Sequence, residues 1–255
     1  MTPNPILAAL KRGETVVAMW HQLASPEVAE AMVHRGWPVQ LVDNEHGTAS
    51  LEKTVEIHRG ILAAGGDMLL RVPAADPTLL KLMVDRGFRS LMAPMINTAE
   101  AAQEFVDACR YPPHGKRGYA APIVRASGYG SNRGYMRGAH EEMLLVAQIE
   151  HVDAVDNIEA IAAVPGIDAL FIGPNDLAGS IGRLEELDHP DVLALCERAE
   201  NAILKSGKWL GSILRPGRTG VELHERGCRL IAGPSDIGFL LAGADAAHVD
   251  YPFMK

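Results

Sequence analysis

Two carboxylates, Glu150 and Asp176, are the residues around which chemistry can be built. Glu150 directly follows the apolar run LLVAQI at 144–149, and Asp176 lies a few residues past the run 169–173. A helical segment separates the two runs, so they read as buried parallel strands whose ends share one edge of a sheet. Two oxygen ligands on one rim suit a hard divalent cation such as Mg²⁺ or Mn²⁺, leaving the other positions to water and substrate. A carboxylate after a strand is also an ordinary helix cap, so the pair needs company before it means a metal site.

The company is found at the other strand ends. In chain order they carry Trp20, then Asp43-Asn44-Glu45-His46, Arg71, Pro94, Gln148 with Glu150, Gly173 to Asp176, and Leu214-Arg215. Two carboxylates for a metal, an arginine, and a histidine with acidic neighbours are the groups that an enolate site requires.

Positioning these residues takes a repeating unit. An apolar run, a cap, an amphipathic helix and usually a glycine recur along the chain. The runs fall at 16–20, 39–43, 68–72, 90–94, 144–149, 169–173, 209–214 and 229–232. Helices are expected after Ser25-Pro26, over 51–63, from Asp76-Pro77 to Gly87, and from Thr98 to about 110. Further helices are expected near 153–163, 190–206, 219–226 and 236–247. Eight strand–helix units in 255 residues match the count and size of a (β/α)₈ barrel, in one domain spanning 1–255. A doubly wound open sheet is the alternative, weakened by the absence of GxGxxG or GxxxxGK[ST] after a strand. The stretch 111–140, rich in Gly, Pro, Tyr and Arg, interrupts the pattern. A loop of that length in a compact domain is usually functional.

Composition narrows the function classes. With 47% hydrophobic and 22% charged residues the chain can build a large core, and a net charge of −8 without a basic stripe argues against nucleic acid. No run is long enough to span a membrane, and the N-terminus lacks the pattern of a signal peptide. Cys109, Cys196 and Cys228 are far apart with no CxxC, which fits buried thiols in a reducing cytoplasm.

The segments VDNEHG, LLRV, RYPPHGKRGYA, VRAS, QIE and FIGPNDLA, in that order, resemble the metal-dependent (class II) pyruvate aldolases of the 4-hydroxy-2-oxoheptanedioate aldolase family. That family also holds 2-dehydro-3-deoxyglucarate aldolase and macrophomate synthase. The resemblance covers nearly the whole chain. It implies a (β/α)₈ barrel whose last helix is exchanged between subunits, a homo-hexamer (dimer of trimers), and a divalent metal, with Co²⁺ or Zn²⁺ as further candidates. The family's metal ligands match Glu150 and Asp176, its arginine matches Arg71, and its catalytic histidine matches His46. Asn44 stands where relatives often carry glycine. SILRPG at 212–217 departs from the family pattern beside the expected aldehyde pocket, so the acceptor is left open.

The implied reaction is reversible aldol cleavage of a 4-hydroxy-2-oxo acid to pyruvate (or hydroxypyruvate) and an aldehyde, through a metal-stabilised enolate. Arg71 is expected to give a charged hydrogen bond to the enolate oxygen, and His46 to act as acid and base. Asp43, or Asp85 from the following unit or a neighbouring subunit, is the candidate orienter of His46. Glu45 is a candidate for holding a metal-bound water. Gly173, Pro174, Asn175 and Asp176 are expected to bind the substrate carboxylate, with the N–H groups of Asn175 and Asp176 as donors. Trp20, Gln148 and Leu214 complete the expected substrate pocket. Arg117, Arg125, Arg133 and Arg137 of the long loop either reach an anionic acceptor or lie solvated. Two other functions share these residues: decarboxylation-driven carbon–carbon bond formation, and a non-catalytic 2-oxo-acid-binding barrel.

Overall fold

A computed structural model describes residues 3–251 and residue 253. The expected span of 1–255 therefore includes five residues, 1, 2, 252, 254 and 255, that lie outside the described residues. The elements in order are α1 (Pro5–Lys11), β1 (Val16–His21), α2 (Pro26–His34), β2 (Val39–Asp43), α3 (Leu51–Ala63), β3 (Asp67–Arg71), α4 (Pro77–Asp85), β4 (Ser90–Ala93) and α5 (Ala99–Cys109). After the long loop, with its short helix α6 (Tyr135–Gly138), come β5 (Leu144–Ile149), α7 (Val152–Asp156), α8 (Ile158–Ala163), β6 (Ala169–Ile172) and α9 (Pro174–Ser180). The chain continues through α10 (Pro190–Ser206), β7 (Trp209–Ile213), α11 (Gly220–Glu225), β8 (Cys228–Ser235) and α12 (Asp236–His248).

The strands pair in parallel in chain order, and β8 pairs back onto β1, closing the barrel. The open-sheet alternative is thereby excluded. Alternation along the strands builds two apolar layers. Leu41, Leu69, Met92, Val146, Phe171 and Leu230 fill the barrel. Their neighbours Val42, Leu70, Leu91, Leu145 and Leu170 face the helices. Each such fully buried side chain contributes about 1.5–3 kcal/mol, which is why the strands read as continuous apolar runs.

α1 had no counterpart among the expected elements. Asn4 caps it, accepting from the Ile6 and Leu7 amides at 3.1 and 3.2 Å, and donates to Ser90 Oγ at the start of β4 at 2.9 Å. Ile6, Leu7 and Leu10 pack into the barrel interior. The helix thus stoppers the end of the barrel where the strands begin.

The helix expected over 153–163 breaks at Asn157, whose Nδ2 donates to the Asn97 carbonyl at 2.9 Å. The stretch 111–140 is not structureless. It has its own small core of Tyr111, Ala121, Tyr135 and Ala139. Lys116 N donates to the Asp107 carbonyl at 2.6 Å and Arg125 Nη1 to the Arg86 carbonyl at 2.6 Å, which ties the stretch to the C-terminal ends of α5 and α4. Those ends lie on the face opposite to the strand C-termini, where barrel chemistry sits. Arg117 is buried there, bonded to Asp85 and stacked 4.2 Å over Tyr111. Within one chain, then, neither Arg117 nor Arg125 meets the expectation of reaching an acceptor or lying in water.

α12 behaves unlike the other barrel helices. Asp236 is its only buried residue, and Leu240 and Leu241 are both 58% exposed. Val17, on the outer face of β1, is 43% exposed where an eighth helix would normally cover it. No helix among the described residues is long and apolar enough to cross a membrane.

Candidate active site

Asp43 ends β2 and Arg71 ends β3, and the two residues are register partners. Parallel pairing therefore sets them side by side at the rim. Arg71 Nε and Nη2 reach Asp43 Oδ1 and Oδ2 at 2.9 and 2.7 Å, a bidentate fork that fixes the guanidinium plane. Arg71 Nη1 lies 3.1 Å from Glu45 Oε2, and the Trp20 ring sits 4.6 Å from the guanidinium carbon. Burial raises the Asp43 carboxyl pKa, but Arg71 and the two amides outweigh it and hold the group below its ordinary value. Those amides belong to Glu45 and His46, which donate to Asp43 Oδ1 at 3.0 and 3.2 Å and wind 43–48 into a tight turn. A Cβ at Gly47 would fall 2.1 Å from the Asp43 carbonyl oxygen, so only glycine fits there.

Glu150 is 2% exposed at the end of β5. Its Oε1 accepts from the Met95 amide at 2.7 Å, and its Oε2 accepts from Gln148 Nε2. Met95 adopts φ 53°, a left-handed conformation that costs a non-glycine residue about 1 kcal/mol and here turns the amide onto the carboxylate. Burial pushes the Glu150 carboxyl up to about 7, against the Met95 amide and Arg71, and the nearby carboxylates Glu45 and Asp176 push the same way. Burial likewise raises Glu45 despite Arg71.

Four carboxylates, Asp43, Glu45, Glu150 and Asp176, around one guanidinium leave negative charge uncompensated at a site made of oxygen donors. That arrangement fits a divalent cation. Gly173 keeps the approach clear, since a Cβ there would come within 2.6 Å of Glu150 Oε2. Among the described residues no three His, Cys, Asp or Glu side chains converge as metal ligands.

Of these groups, Arg71 and Asp176 line a cavity of about 550 Å³ at the C-terminal ends of the strands, and Asp43, Glu45 and Glu150 stand behind its wall. Trp20, His46, Arg71, Gln148, Gly173, Pro174, Asn175 and Asp176 line it together. Pro174 is the first residue of α9, and Asp176 lies in its first turn.

Three expected roles meet a different geometry. Asp43 holds Arg71 and the His46 backbone, and no contact joins it to the imidazole. Asp85 sits at the end of α4 on the opposite face, paired with Arg117 at 2.5 Å. The acid nearest the imidazole is Glu45, 3.9 Å from His46 Nε2. Leu214 is 43% exposed and off the cavity wall, whereas Ile213, one residue earlier, lines it. Side chains alternate along a strand, so a one-residue slip at the end of β7 moves the expected contact to the wrong face.

Gln22, Phe171, Gly233, Pro234 and Ser235 line the cavity without having been expected. Phe171 was readable from its alternation with Leu170. The Gly233-Pro234-Ser235 wall was missed because β8 runs on to Ser235.

A parallel (β/α)₈ barrel with an arginine and a carboxylate cluster at its C-terminal rim defines a class of enolate-forming enzymes. The pattern of the HpcH/HpaI aldolase/citrate lyase family matches residues 17–225, and the chain belongs to that family. It is 36% identical over 234 residues to a hydroxypyruvate/pyruvate aldolase of Cupriavidus necator, covering 92% of this chain and 87% of that protein. It is 39% identical over 242 residues to a 4-hydroxy-2-oxovalerate aldolase of Novosphingobium aromaticivorans, covering 94% and 92%. The crystal structure of an HpcH/HpaI aldolase/citrate lyase family protein from Burkholderia cenocepacia superposes with a TM-score of 0.91 at 34% identity, covering 97% and 98%.

Proposed function

We infer that this site makes and breaks the C3–C4 bond of 4-hydroxy-2-oxo acids, yielding pyruvate or hydroxypyruvate and an aldehyde. The protein is an aldolase, a carbon–carbon lyase. The observation that carries the reading is the Asp43–Arg71 fork, buried beside the raised carboxylate of Glu150, with Arg71 lining the rim cavity.

In cleavage, a base takes the proton from the C4 hydroxyl. The C3–C4 pair then becomes the C2=C3 double bond of the enolate, the C2=O π pair moves onto the oxygen as the aldehyde leaves, and C3 is protonated afterwards. Arg71 is placed to donate to the oxygen that gains charge. Its orientation is fixed beforehand by Asp43, so little reorganisation is needed in the transition state. His46, exposed at the mouth with Glu45 alongside, is the group that handles the C4 hydroxyl proton. Asp85 can serve His46 only from a neighbouring subunit, because within the chain it faces the other way. The Asn175 and Asp176 amides are donors for the substrate carboxylate, and Trp20 walls the pyruvate methyl side. Glu150 and Asp176 would hold a divalent metal, Mg²⁺ or Mn²⁺ by their oxygen donors, which when bound supplies Lewis-acid polarisation of the keto group.

For assembly, the bare apolar flank of α12 and the uncovered Val17 support helix exchange within a homo-hexamer. Three buried free thiols support a cytoplasmic location.

The test is C3 proton exchange of pyruvate in deuterated water, with and without EDTA, alongside cleavage of a panel of 4-hydroxy-2-oxo acids. Exchange that needs metal, and that is weakened strongly in Glu150→Gln at low metal, is expected. Exchange and cleavage untouched by EDTA would remove the metal role, and absence of both would remove the aldolase reading.

A further inference from the structure

Asp236 is a buried charge outside the cluster just described. It stands where β8 passes into α12 and is 3% exposed. A buried carboxylate needs compensation, and this one takes it almost entirely from the neighbouring loop. Gln22 N donates to Oδ1 and Oδ2 at 3.0 and 3.1 Å, and Leu23 N donates to Oδ2 at 2.9 Å. Its own α12 contributes the Ile237 amide at 2.8 Å. His21, 1% exposed, sets Nδ1 3.3 Å from Asp236 Oδ2, and among the described residues neither of its ring nitrogens has a hydrogen-bond partner.

The grip continues inward. The Gln22 carbonyl accepts from Thr48 N at 3.2 Å and from Thr48 Oγ1 at 3.3 Å. Thr48 is two residues beyond His46. The turn that carries His46 therefore has two anchors. Asp43 Oδ1 holds its beginning through the Glu45 and His46 amides, and the 21–23 backbone holds its end through Thr48. The second anchor is fixed in turn by Asp236. Trp20, Gln22, His46 and Ser235, which flank these contacts, all line the cavity.

We propose that Asp236 is a positioning residue for the reaction: through the 21–23 backbone and Thr48 it holds the His46 turn in register with Arg71. The reaction it serves is the one inferred above, whereas the coupling itself stands on the contacts alone. Because α12 begins at Asp236 and is otherwise unburied, whatever docks that helix also bears on the His46 turn.

The test compares the full-length wild type with Asp236→Ala, Asp236→Asn and Thr48→Val. Hydrogen exchange with mass spectrometry reads the segments 21–24 and 44–48. Asp236→Ala is expected to accelerate exchange about tenfold in both segments, as local opening would. Asp236→Asn, which keeps one carbonyl acceptor, should do so less, and Thr48→Val should loosen 44–48 alone.

In kinetics, Asp236→Ala is expected to lower kcat for aldol cleavage roughly tenfold to a hundredfold, the scale of an ångström-sized misplacement. Its KM should stay within about threefold, since Arg71 is held separately. Decarboxylation of oxaloacetate, which reaches the same enolate without a C4 hydroxyl, should fall less. Loosening of 21–24 with 44–48 still protected would overturn the proposal, as would cleavage and decarboxylation falling in proportion. If Asp236→Ala does not fold, Asp236→Asn and Thr48→Val decide by the same two criteria. A wild type that cleaves no 4-hydroxy-2-oxo acid would count against the aldolase reading, while the exchange comparison would still decide the coupling.

Discussion

Arg71 and His46 share a cavity but not an environment. Arg71 is 8% exposed and locked by a carboxylate fork, whereas the His46 side chain is 65% exposed at the mouth. On the proposed mechanism Arg71 serves any reaction through the enolate, and His46 only those with a proton to move at C4. Arg71→Lys is the informative change, because it leaves Asp43 paired, while Arg71→Ala would strand a buried charge at about 3–5 kcal/mol. An ammonium cannot copy the fork, so Arg71→Lys should slow cleavage and pyruvate proton exchange together, by up to ~10²–10³. His46→Ala should cost cleavage ~10²–10⁴ while sparing oxaloacetate decarboxylation. Equal losses in both reactions for both variants would mean that one shared step explains the two residues.

At the scale of elements, the legible parts were those dictated by local pattern. Apolar runs gave strands, caps gave helix starts, and the residues at or just past the strand ends gave the positions of Asp43, Arg71 and Glu150. What the sequence hid was register and distant pairing. Leu214 was expected in place of Ile213 because the end of β7 cannot be fixed to one residue by pattern alone. The Asp85–Arg117 pair was hidden because it joins α4 to the long loop, and nothing local announces it. α1 had a readable start in Asn4-Pro5, but its role as a stopper follows only from barrel closure.

The long loop also carries a pH prediction. Its Arg125 donates to His58 Nδ1 on α3 at 3.2 Å, so the imidazole is an acceptor there. Burial, with Arg125 and Arg89 nearby, pushes His58 down to about 3, from an ordinary 6.5. A group lowered in the folded state contributes stability above 6.5 that is lost as pH falls towards 3. By pH 5 the loss reaches about 2 kcal/mol, since each pH unit below the ordinary value costs about 1.4 kcal/mol. Thermal melts of the wild type should fall over that interval, and His58→Gln should flatten the slope. An unchanged slope would assign the acid sensitivity to other groups.

For the whole molecule, the count of eight units was legible from end to end, because each unit repeats the same grammar. Assembly was not: α12 is apolar in composition, and composition fits either closure on its own barrel or docking on another. The exposure of Leu240 and Leu241 on α12, together with that of Val17 on β1, favours docking. Sedimentation at micromolar concentration should show a hexamer, and Leu240→Glu with Leu241→Glu should shift it to smaller species. A stable wild-type monomer would contradict helix exchange.

The stopper formed by α1 also dictates the order of traffic. Ile6, Leu7 and Leu10 fill the strand-start end, so reactant and products would pass through the opening at the strand C-termini. On the proposed mechanism the 2-oxo acid half would lie against buried Arg71 and the aldehyde half nearer exposed His46. The aldehyde must therefore leave before pyruvate. Steady-state cleavage should accordingly show pyruvate as a competitive product inhibitor and the aldehyde as a mixed one, and the reverse pattern would mean that pyruvate has another way out.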